Sequence, residues 1–154
     1  MRLDLLLTSL VVVLGWIVVH RLSEQRERRK EVRALLDKLM ERIKEIEKEA
    51  ILFHTSTNFD FAKNREILSE MDRIETKVTR IPHFNQDDLV STLIAYRQSI
   101  TSNNFDKSGF KSQEHEGDLI RNICEQSLDF EEALESQYSV AYPIKFKLLY
   151  LFSR

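Results

Sequence analysis

The side chains in this sequence that could do chemistry are four histidines, one cysteine and several neighbouring acids. His20, His54, His83 and His115 lie far apart. None pairs with another in the H-E-x-x-H arrangement, which sets two imidazoles on one helical face toward a metal. His115 stands in QEHEGD with acids on both sides. A metal needs several converging ligands, so a solvated loop is expected there. Glu114, Glu116 and Asp118 lack the spacing of a calcium loop. Cys124 has no basic neighbour nearer than Arg121. A reactive thiolate needs such a neighbour or a helix N-terminus, so Cys124 reads as a small buried hydrophobe. Being alone, it excludes an internal disulfide and a cysteine-based zinc site.

The acid pairs offer no more. Glu131-Glu132 and Asp87-Asp88 are adjacent, and adjacent helical side chains point apart. Acids at helix starts are ordinary partners of the helix dipole. With three glycines in the chain, no phosphate-cradling loop can be built, and G-x-S-x-G, G-x-G-x-x-G and the P-loop pattern are all missing. The expectation is a protein that is not an enzyme, with no cofactor, no metal and no small-molecule substrate. A net charge of −2 supplies no bulk attraction to nucleic acid, and no direct binding of it is expected.

The most informative stretch is Leu5 to Val19, LLLTSLVVVLGWIVV, fifteen residues without a charge. As a helix it covers roughly 22 Å, and Leu3 and Leu22 extend it to about 20 residues, near the length of a membrane span. Trp16 suits the interface, with Asp4, His20 and Arg21 in the two headgroup zones. No small-residue cleavage pattern follows the apolar run, so a membrane anchor is preferred over a signal peptide or a buried core helix. From His20 to Arg33 six cations face three acids, and the residues from Ala34 onward carry 16 cations and 21 acids. Cations collect on the cytoplasmic side, which predicts the N-terminus outside the inner membrane and the body in the cytoplasm. Trp16, Arg21, Arg26, Arg28, Arg29, Lys30 and Arg33 are the expected contacts with membrane lipid.

The elements that would position these residues are helical. Val32, Leu35, Leu39, Ile43, Ile46, Ala50 and Phe53 keep helical steps, widened by Leu36 and Met40. That stripe serves either a dimeric coiled coil or, preferably, packing on later helices of the same chain. Thr55-Ser56-Thr57-Asn58 marks a break, with a second helix starting around Asn58 to Asp60. Ile67, Met71, Ile74, Val78 and Ile81 define that helix, and Pro82 ends it. A cap at Asn85-Gln86-Asp87-Asp88 opens a third, with Leu89, Leu93, Tyr96 and Ile100 and with Val90 and Ile94 beside them. Residues 101–118 read as a long polar loop, functional or mobile. A fourth helix is predicted from Asp118 to Tyr138 along Ile120, Ile123, Phe130 and Leu134.

The reading is an all-α protein: a single N-terminal transmembrane helix continuing into a cytoplasmic antiparallel bundle of about four helices. Its parts are an anchor over 1–22, a bundle over 23–138 and an amphipathic aromatic and basic tail over 139–154. The tail fits an interfacial segment, a bundle cover or a partner contact. Overall the layout resembles that of many small bacterial inner-membrane proteins, a likeness of architecture alone. The expected function is a membrane-anchored interaction protein that tethers or regulates a cytoplasmic complex, through a protein partner or as a homo-oligomer. The alternative is a self-assembling, membrane-perturbing effector of toxin or defence type.

Overall fold

The computed structural model describes residues 2–143, with side chains from residue 9 onward. Within them the chain forms four helices and no strand: α1 over Arg2–Thr55, α2 over Phe61–Val78, α3 over Gln86–Thr101 and α4 over Asp118–Ala141. The all-helical bundle expected from the periodicity is what the structure shows. Residues 144–154, which hold most of the expected tail, lie outside the described residues.

The boundaries follow local chemistry. At the end of α1 the Thr55 hydroxyl donates to the Ile51 carbonyl at 2.8 Å and the Ser56 hydroxyl to Phe53 at 2.8 Å. These hydroxyls therefore finish one helix and do not start the next. Asp60 starts α2, its carboxylate accepting from the Ala62 and Lys63 amides at 2.8 and 3.1 Å. Asn85 caps α3 through the Asp87 amide, as its side-chain type predicts. Gly117 precedes α4 with no side-chain cap. A Cβ there would stand 3.0 Å from the Glu114 carbonyl, to which the Gly117 amide itself donates. A side chain there would need the Glu114 carbonyl to give by a few tenths of an ångström.

The chain divides into two units between Leu35 and Leu36. In the first, the apolar side chains from Leu10 to Leu22 are exposed around the helix. No helix among the described residues is long and apolar enough to cross a membrane. The expected span is thus not borne out there; Leu3 to Thr8, which would complete it, have side chains outside the described set.

In the second unit, polar contacts give the topology. Arg42 and Lys63 of α1 and α2 pair with Glu70 and Glu49 respectively, so numbers fall on one helix as they rise on the other. Arg97 meets Asp72 and Glu75, while Gln86 lies by Val78, which sets α3 antiparallel to α2. Asp88 meets Gln137 and Tyr96 stacks with Phe130, which sets α4 antiparallel to α3. Lys44 of α1 reaches Glu131 at 3.5 Å, closing the up-down-up-down ring.

The core lies along the axis. Leu36, Leu39, Ile43, Ile46, Ala50 and Phe53 of α1 are buried, as are Ile67, Met71, Ile74 and Val78 of α2. Leu89, Leu93, Tyr96 and Ile100 of α3 and Ile120, Ile123, Phe130 and Leu134 of α4 complete it. One expectation is corrected here. Leu36 is fully buried and Leu35 is 41% exposed. At about 100° per residue, Leu36 lines up with Leu39 and Ile43, and the stripe then steps strictly by three and four. Val90 and Ile94 likewise stay exposed beside their buried neighbours. From Leu36 on, the stripe of α1 is covered within its own chain, as the preferred reading had it.

Candidate functional site

Two groups of residues stand out, one in each unit. The first is the segment of α1 after the apolar run. Trp16 is 66% exposed and stacks flat on His20, centroids 5.4 Å apart at 3°. His20 Nε2 lies 3.7 Å from the Glu24 carboxylate, one turn further on. Indole, imidazole and carboxylate thus form a ladder at four-residue steps along one helical face. Arg21, Arg26 and Arg28 are exposed, Lys30 pairs with Glu27 at 2.9 Å, and Arg29 and Arg33 are half-buried. By helical spacing Arg26, Arg29, Lys30 and Arg33 share an arc of about 100°. Glu24, Glu27 and Glu31 fall on another, while Arg21 and Arg28 stand apart from the four. The seven expected lipid contacts therefore do not form one patch.

The second group is at the end of the bundle where α1 finishes, and sequence spacing alone did not single it out. His54 is fully buried. Its Nε2 lies 3.0 Å from the Ile100 carbonyl of α3, and its Nδ1 lies 3.3 Å from Asn104 Nδ2. Phe53, beside it, makes ring contacts with Phe59, Phe105 and Phe110 at centroid distances of 5.2 to 5.5 Å. The loop expected to be long and polar is thus closed onto this end. The Gln113 amide donates to the His54 carbonyl at 2.9 Å, Ser112 to Thr55 at 2.9 Å, and Asn64 of α2 to Phe105 at 3.0 Å. Spaced phenylalanines at 53, 59, 105 and 110 carried the available signal, but only the fold brings them together.

Burial pushes the His54 pKa below its ordinary value, opposed by hydrogen bonds to the backbone of Ile100 and Asn104. Burial thus favours the neutral ring, and both nitrogens have partners, the arrangement of a structural histidine. Beside the cluster, Leu52, Phe59 and Phe61 help line an open depression of about 600 Å³. A smaller groove of about 240 Å³ between α1 and α2 is lined by Glu45, Glu49, Glu66 and Glu70 with Arg42. Its acids are already engaged by Arg42, Lys63 and Arg73.

The remaining candidates lie in the second unit. Cys124 is half-buried, and burial together with the nearby Glu47 carboxylate pushes its thiol up, away from a thiolate. His115 is exposed, and among the described residues no cluster of three or more histidines, cysteines or acids is placed to hold a metal. Burial also raises the Tyr96 hydroxyl pKa well beyond its ordinary value, and that hydroxyl donates to the Ile43 carbonyl at 3.1 Å. Among the described residues, these groups serve packing and hydrogen bonding within the bundle. No protein-family model matches this chain, and no curated protein or solved structure matches it either.

Proposed function

We propose that this chain is a single-pass, membrane-anchored interaction protein, with its N-terminus outside the inner membrane and its bundle in the cytoplasm. The bundle holds or regulates a cytoplasmic complex at the membrane surface. The observation that carries this reading is the apolar run of α1, whose side chains from Leu10 to Val19 are exposed on every side and lead into the basic block. An apolar helix surface that is open all round calls for an apolar solvent, and lipid supplies one. Trp16 and His20 then stand in the headgroup zone, and Arg21, Arg26, Arg28, Arg29, Lys30 and Arg33 follow on the anionic side. An interaction role is supported by a bundle that presents both charged residues and exposed apolar side chains such as Leu52, Phe61, Ile94 and Leu128.

The test is the mass and composition of the complex extracted from native membranes in mild detergent. A second protein in fixed proportion is the expected result, and its chemistry names the process served. Assemblies of this chain alone would sink the tethering role and favour the self-assembling, membrane-perturbing effector. Recovery in the soluble fraction would remove the anchor.

A further inference from the structure

Asn104 carries the closure of the 102–117 loop on one carboxamide. Its backbone lies in the left-handed region at φ 57°, which asparagine tolerates better than most side chains. From there Oδ1 accepts the Lys111 amide at 2.7 Å, and Nδ2 meets His54 Nδ1 at 3.3 Å. Both ends fix the same orientation. A backbone amide only donates, so oxygen faces Lys111 and the NH2 group faces the ring. Across the ring, the Ile100 carbonyl only accepts, so the ring hydrogen sits on Nε2 and Nδ1 offers a lone pair.

We infer that His54 and Asn104 form a proton-operated latch that loosens the 102–117 loop around Lys111 while the four helices stay packed. A proton taken from water at Nδ1 sets N–H against N–H at the carboxamide, while the Asn104 backbone, which favours the charged ring, receives part of the new donor. The carboxamide relieves this by turning its oxygen to the ring, which presents Nδ2 to the Lys111 amide and breaks that bond. This device lies wholly in the second unit and does not depend on membrane attachment.

Charged groups on the surrounding elements are otherwise engaged or exposed. Glu49 of α1 pairs with Lys63 of α2, and Asp60 caps α2. Arg97 of α3 pairs with Asp72 and Glu75, and Arg121 of α4 with Asp118. Asp106, Lys107, Lys111, Glu114, His115 and Glu116 of the loop are exposed. Both ring nitrogens are already occupied by the Ile100 and Asn104 contacts. Burial holds the folded ring below the ordinary imidazole value of about 6.5. The stabilisation it contributes is accordingly whole above that value and is lost as pH falls from it through the folded pKa.

Amide hydrogen exchange of the full chain in detergent, followed residue by residue from about pH 7.5 to about pH 5.0 and corrected for intrinsic rates, tests the latch. Protection of the Lys111 amide is expected to fall about tenfold or more, while Ile74 and Ile123 in the helix interiors hold theirs. Asn104→Asp should keep Lys111 protected at the lower pH, because a carboxylate gives one oxygen to the amide and the other to a protonated Nδ1. The wild-type profile decides by itself even if the variant fails to fold. Lys111 protection that stays flat, or that falls only in step with Ile74 and Ile123, overturns the latch. So does an equal loss in Asn104→Asp.

Discussion

Tyr96 lies wholly inside the bundle and sends its hydroxyl to the Ile43 carbonyl, joining α3 to α1 through the core. A buried hydroxyl with a partner contributes about 0.5–1.5 kcal/mol, and the carbonyl it bonds is also part of a helix ladder. Tyr96→Phe should therefore lower the thermal midpoint at neutral pH by about 2–8 °C, with the fold retained. Circular dichroism on heating reads this directly, and an unmoved midpoint would show that the bond contributes nothing net. His54 belongs to the same class of residue, polar, enclosed and satisfied, with the half-buried Asn104 as one of its partners. Buried polar groups without partners are costly, so each of these has its partners in place.

Among the elements, α1 shows how far pattern alone reaches. Helical steps from Val32 to Phe53 predict a helix, the break after Thr55, a start around Asn58 to Asp60 and the Asn85 cap follow from residue type, and the start near Asp118 follows from the apolar period. The choice between Leu35 and Leu36 does not, since both fit a helix and only the neighbours decide which one faces inward. Leu36→Ala should cost about 2–5 kcal/mol, as a buried leucine does. Leu35→Ala should stay within about 0.5 kcal/mol, as exposed positions do. Denaturant titration of the two variants checks the register, and equal losses would place the seam between them. The loop over 102–117 was least legible. Its closure rests on Asn104 in a left-handed turn and on contacts spanning some fifty positions, such as Asn104 to His54, and no local pattern encodes those.

For the whole molecule the open question is where α1 spends its apolar surface. Val12 stands near the middle of the stretch from Leu3 to Leu22. An arginine there costs about 2.5–3.5 kcal/mol at the centre of a span. On the proposed anchoring, Val12→Arg should shift the protein from the alkali-resistant membrane pellet toward the soluble fraction, while the bundle's melting is unchanged. An unaltered pellet fraction would mean that the attachment runs through other residues. The candidate site was legible here to the extent that it is charge and apolarity in sequence. The aromatic end of the bundle was not, because its members come from three separated segments.

The up-down-up-down ring also sets a timetable for synthesis. The buried stripe of α1 is made first, and its last neighbour, α4, ends roughly 90 residues later. At about 5–20 residues per second, the nascent chain would carry that stripe uncovered for some 4–18 s. Phe130 and Leu134, which close the core, are among the last helical residues to arrive. During that interval the emerging chain presents a sticky, half-built surface, and holdase chaperones have their longest opportunity there.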